Sequence, residues 1–151
     1  MKPNKTRLIS AGALIASLIF YAGTITTPAE ATPSPSVQKW ANAYVSMSKS
    51  FLADYTALET ATTSNDIPGA ARVCGKLQNL GFSFSSTNAP NDKTLNALNQ
   101  RVINTLSSLA TQCFVAVSNP TTANGTKLGQ LINAFEDLST PILARITQLK
   151  K

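Results

Sequence analysis

The segment WANAYVSMSKSFLADYTAL, residues 40–58, carries the clearest structural signal in this chain. Trp40, Tyr44, Met47, Phe51, Tyr55 and Leu58 follow at spacings of four, three, four, four and three. That period puts all six on one side of a helix, and it lacks the alternation of a strand. A helix with such a stripe must bury it against other elements. The preceding Thr32-Pro33-Ser34-Pro35-Ser36 is a stiff leader. Ser34 or Ser36 can cap the helix, and Pro35 suits its first turn. The stripe stops near Thr60, where Thr62, Thr63, Ser64 and Asn65 favour a loop.

Downstream the helical period returns three times. Asn65 or Asp66 can cap a second, shorter helix with Pro68 in its first turn. Its stripe is Ile67, Ala70, Cys74 and Leu77, and Gly81 is its natural stop. Asn91 or Asp92 opens a third helix, with Leu95, Leu98, Val102, Leu106, Leu109, Cys113 and Val117 on one face and Asn119-Pro120 at its end. The fourth begins between Thr121 and Thr126, its start blurred by Asn124-Gly125. Leu128, Leu131, Ile132, Phe135, Leu138, Ile142, Ile146 and Leu149 form its stripe. Pro141 falls within that pattern and predicts a kink. The fold class is therefore all-α: an up-down four-helix bundle with a short second helix.

Upstream, the chain begins with an address. Lys2, Lys5 and Arg7 precede an apolar stretch from Leu8 to Ile25, and Ala29-Glu30-Ala31 places small residues where a signal peptidase reads. This layout predicts a secretory signal peptide over 1–31, cut after Ala31, and a helical-bundle domain over 32–151. The rival is an uncleaved anchor, since the stretch approaches bilayer-spanning length. No cysteine near the cut invites a lipid anchor, and no twin arginine is present. The protein is expected to be secreted or otherwise extracytoplasmic.

Cys74 and Cys113 fall on the inward stripes of helices two and three. In an oxidising compartment this predicts a disulfide between them; the alternative is two separate buried thiols. Such a bridge constrains the chain between. Cys74 lies about 10 Å before Gly81 and Cys113 about 31 Å after Asp92, at the helical rise. A tight turn would hold the sulfurs about 20 Å apart, beyond bridging distance. The segment from Phe82 to Asn91 is therefore expected to run on past helix two before reversing, with Phe82 and Phe84 filling the side of the bundle that the short helix leaves open.

Composition limits the chemistry. The chain has 151 residues, no histidine, and 13 basic against 7 acidic residues, for a formal net charge of +6. Histidine-based triads, Cys-His proteases and histidine zinc sites are excluded. The mature carboxylates include no pair spaced for acid/base work: Asp66 and Asp92 read as caps, Asp54 as the edge of the first stripe, and Glu136-Asp137 as neighbours pointing apart. No metal site or cofactor is predicted, and no enzyme. Tyr44 and Tyr55 could in principle ligate haem iron through phenolate, and Trp40 with Tyr44 could stack on a sugar; all three are candidate ligand contacts that core packing also explains. Arg72 and Lys76, four apart, face away from the core and could contact an anion; a plain solvated face is the alternative. Lys150-Lys151 suit a helix C-terminus. Asn124-Gly125-Thr126 fits a glycosylation sequon, which has meaning in a eukaryotic secretory pathway. No nucleic-acid motif is present, and export argues against a genomic partner.

With Cys74-Gly75-Lys76-Leu77 and Gln112-Cys113 on neighbouring helices, and an aromatic first helix beginning at Trp40, the layout resembles small secreted helical-bundle proteins of Actinobacteria. In architecture alone it is similar to the α-helical porin B family of corynebacteria, exported four-helix proteins with one disulfide, and to the secreted haem carriers of mycobacteria. Three functions follow as expectations. One is a non-enzymatic binding or interaction protein, with an anionic cell-envelope component or another secreted protein as partner. The second is a membrane-active or pore-forming protein, as the porin resemblance implies. The third is a carrier of a small hydrophobic ligand.

Overall fold

The computed structural model describes residues 33–149. The signal segment over 1–31, the cut before Thr32, and Lys150-Lys151 lie outside the described residues. Five helical segments make four arms: α1 (Pro35–Thr63), α2 (Ile67–Ser85), α3 (Lys93–Ser118), α4 (Thr122–Asp137) and α5 (Ser139–Gln148). Consecutive arms pack side by side, α1 on α2, α2 on α3, and α4 and α5 on α3. The chain is an all-α four-helix bundle, and a disulfide joins Cys74 to Cys113 with their Cα atoms 5.5 Å apart.

Local chemistry sets the helix ends. Ser34 takes the cap position of α1 without a side-chain bond, and Pro35 opens the first turn. The Gly69 N–H donates to Asp66 Oδ1 at 2.9 Å, and the Leu95 N–H donates to Asp92 Oδ1 at 2.9 Å. The two aspartates thus satisfy amides left free at the starts of α2 and α3. Asn65 turns the chain between α1 and α2 with φ of 58°, a left-handed conformation that asparagine tolerates better than most residues. Thr121 accepts from the Asn124 N–H, while Asn124 Nδ2 donates to the last-turn carbonyl of Asn119 at 2.8 Å. Asn124 therefore serves two helices at once, which places Asn124-Gly125 inside α4 and removes the ambiguity at its start.

Two sequence expectations change. Gly81 does not stop α2. Although α2 is shorter than α1 and α3, it runs on to Ser85, and at Gly81 a β-carbon would stand 3.5 Å from Leu106 Cβ, so this is where α2 and α3 approach closely. Phe82 and Phe84 consequently sit on a helix and not on an extended strap. Two residues apart on a helix is about 200° of rotation, so the pair divides. Phe84 is buried against Trp40 and Tyr44, with ring centroids 6.2 and 6.3 Å away, while Phe82 is 65 % exposed. The reversal past the end of α2 is carried by residues 86–92.

Pro141 interrupts the last arm as expected, but the break appears three residues earlier. Proline has no N–H to give to the Asp137 carbonyl one turn back, and its ring crowds that carbonyl. α4 ends there, Leu138 keeps helical angles, and α5 resumes at Ser139. The arm continues along α3 and reaches its start: Arg145 grips Asp92 with Nε to Oδ1 at 3.1 Å and Nη2 to Oδ2 at 2.6 Å.

The core runs the length of the bundle. Trp40, Tyr44, Phe51, Leu77, Leu95, Leu106, Leu109, Phe135, Leu138 and Ile142 are each essentially removed from water. Burying side chains of this kind contributes about 1.5–3 kcal/mol apiece before chain entropy is set against it. Among the described residues no helix is long and apolar enough to cross a membrane.

Candidate functional site

The residues singled out by the sequence separate into a core set and a surface set. Trp40 and Tyr44 belong to the core. Trp40 is 0 % exposed, stacks on Tyr44 at 5.6 Å and 15°, and donates from Nε1 to Asn99 Oδ1 at 2.8 Å. Burial pushes the Tyr44 hydroxyl up to about 12. Tyr55 is half-buried beside Phe51. Burial raises its pKa, and the carboxylates of Glu59 and Glu136 raise it further. Both phenols are therefore held in their protonated form throughout the physiological range, with their rings engaged in packing.

Arg72 and Lys76 are on the surface, as predicted, and they share a feature that spacing alone does not reveal. Both line an open groove of about 670 Å³ between the end of α1 and the first turns of α2. Ala57, Thr60, Ala61 and Ser64 form the α1 bank. Its hydroxyls are already spent: Thr60 donates to Thr56 O, and Ser64 to Thr60 O, each under 3.0 Å. This return of Ser and Thr hydroxyls to their own helix is common near helix ends.

Gly69 and Asp66 close one end of the groove. A β-carbon on Gly69 would collide with the Asp66 carboxylate, so glycine is what allows Asp66 to fold over the helix start. Arg72 lies 3.8 Å from Asp66, with the two side chains 71 % and 49 % exposed. An exposed pair at that distance holds its partner loosely, so the guanidinium is free to exchange partners. Lys76 makes no ion pair within 4 Å among the described residues. Asp54, half-buried on α1, is close enough to feel Lys76: burial raises its pKa and the ammonium lowers it. The groove thus presents two cationic donors on successive turns, above a floor of methyl groups.

Several polar residues outside the sequence-derived set are placed by the bundle away from this groove. Asn99 is buried to receive the indole proton. Gln112 is buried and donates from Nε2 to Asn124 O at 3.2 Å, tying α3 to α4 beside the disulfide. Glu136 is buried at 7 % exposure, and burial with the adjacent Asp137 charge raises its pKa. Asn99 and Gln112 have a sequence signal in retrospect, being polar residues at core-facing positions of the α3 period. Arg145 has none, because its partner lies 53 residues away.

Comparison with protein-family models, with curated proteins and with solved structures yields no match for this chain.

Proposed function

We propose that this chain is an exported, non-enzymatic binding protein that engages an anionic component of the cell envelope through the groove holding Arg72 and Lys76. The observation that carries this reading is the pairing of two weakly committed cations over one open groove on a rigid helix. Phosphate and carboxylate polymers present repeated anions that such a pair can bridge, and a guanidinium adds two-pronged contact that a lone ammonium lacks. The positive balance of the whole chain favours the same partners at long range. Export is supported by the three-part leader over 1–31 and by the disulfide, a bond that persists outside reducing compartments.

The test is binding of the exported protein to a glycerol-phosphate polymer, followed by calorimetry against rising salt. Affinity should fall as salt screens the groove. The double variant Arg72→Glu with Lys76→Glu should lose at least about tenfold in affinity while keeping its helical spectrum, because both side chains are exposed and repulsion replaces attraction. Equal binding by the variant, or equal binding to a neutral polymer, refutes the reading. N-terminal sequencing of the same material should begin at Thr32.

A further inference from the structure

From Leu77 to Asn91, and again from Val102 to Thr126, the chain carries no charged residue. These stretches are the second half of α2 with its following loop, and the last turns of α3 with its connection to α4. α2 and α3 pack against each other, and the Cys74–Cys113 bridge fastens them near one end of this region. Leu77–Ser85 on α2 and the stretch of α3 from Val102 that packs beside it therefore form a strip without charge about 13 Å long, at the helical rise, and two helices wide.

That face is not merely polar. Phe82 is 65 % exposed, and Phe114 and Val115 are each 39 % exposed. Beside Phe82 runs a trough of about 190 Å³, bounded by Gly81 and Ser85 on α2 and by Ile103, Ser107 and Ala110 on α3. Phe114 extends the Ile103–Ala110 row by one turn. Within the described chain Phe82 stays mostly open to solvent, and Phe114 and Val115 partly so.

We infer that this face is a homodimer interface, in which Phe82 of each copy enters the trough of the other about a two-fold axis. Three observations select a second copy as the occupant. Residues 32–151 carry 10 basic and 6 acidic side chains, a net charge of +4 that repels a second copy, and across this face two copies meet without opposing like charges or desolvating a charge. Aromatic side chains with charge depleted around them are the compositional mark of an interface centre. A protruding ring and a recess on one surface are self-complementary, which is what a two-fold contact requires. The volumes agree, since an apolar cavity of about 150 Å³ accepts a benzene ring. This inference does not depend on the groove at Arg72 and Lys76, which lies on the α1 side of α2.

Sedimentation equilibrium of the protein as the cell produces it, between about 1 μM and 1 mM, tests the assignment. The wild type should pass from monomer to dimer within that range. Phe82→Lys removes an exposed ring and sets two ammonium groups against each other near the axis; it should weaken dimerisation by at least about 100-fold. Thr111→Lys, on the opposite bank of the trough, should do the same. Asn42→Lys, on exposed α1, should leave the dimer unchanged. Circular dichroism must show all three variants as helical as the wild type. A wild type that stays monomeric to the highest concentration overturns the proposal, whatever else the face binds, and so does a dimer that survives both lysines at the trough.

Discussion

Two buried polar groups, Asn99 on α3 and Ser48 on α1, have opposite energetic roles. Asn99 is buried at 2 % exposure with its carbonyl oxygen 2.8 Å from the Trp40 indole nitrogen. Ser48 is equally buried, and its Oγ has no hydrogen-bond partner. A buried donor left unpaired costs about 1–3 kcal/mol, whereas removing an already unpaired one recovers part of that cost. Asn99→Leu should therefore destabilise the fold by about 2 kcal/mol, because it strands the indole proton. Ser48→Ala should stabilise it by about 1 kcal/mol, with help from the better helix propensity of alanine. Urea titration followed by fluorescence checks both, and Trp40, the single tryptophan of the chain, is the probe. A stability loss in Ser48→Ala would mean that its hydroxyl pairs with Tyr44 after all.

Among the helices, the link between α3 and α5 is the one that depends on pH. Arg145 and the Leu95 amide hold the Asp92 carboxyl at about 2, against 3.8 ordinarily. A depressed acid stabilises the fold fully above its unfolded value, and that contribution disappears as pH falls from about 4 towards 2. Glu136 and Asp54 act the other way, since burial raises them and their ionisation opposes folding. The clean measurement is the difference between wild type and Arg145→Leu. Stability of the wild type should exceed that of the variant at pH 6, and the gap should close on acidification to pH 2. A gap independent of pH would show that Arg145 acts through packing of its stem. The same contact explains why α5 follows α3 after the break at Leu138: Pro141 interrupts the backbone ladder, and the ion pair anchors what comes after.

For the bundle as a whole, the largest single restraint is the bridge across α2 and α3. It closes a loop over 39 positions. On a chain-entropy account, such a closure contributes about 4 kcal/mol. Cys74→Ala with Cys113→Ala, or reduction of the wild type, should lower the thermal midpoint by about 10–20 °C in a domain of this size. Both sulfurs are fully buried, so in the native state a mild reductant should act slowly and become fast only where the bundle opens. Rapid reduction without unfolding would show that the α2–α3 seam breathes, and would weaken the case for a rigid docking face there.

The helices, their inward stripes, the aspartate caps and the pairing of the two cysteines were legible in order along the chain, because each depends on neighbours within a few residues or on which face a side chain must hide. Trp40, Phe51 and Leu106 announce themselves by period alone. Extent was less legible. Gly81 looked like a stop because glycine is a poor helix former, but packing of α2 on α3 outweighs a propensity worth about 1 kcal/mol. Phe82 and Phe84 looked alike in one dimension, and separate only once a helix turns them to opposite sides. The groove of Arg72 and Lys76, the indole bond to Asn99, the clasp of Arg145 on Asp92 and the uncharged face around Phe82 join positions remote in sequence. Local rules carry information over one or two helical turns; which distant faces meet is set by how whole stripes interlock, and that belongs to the packed bundle.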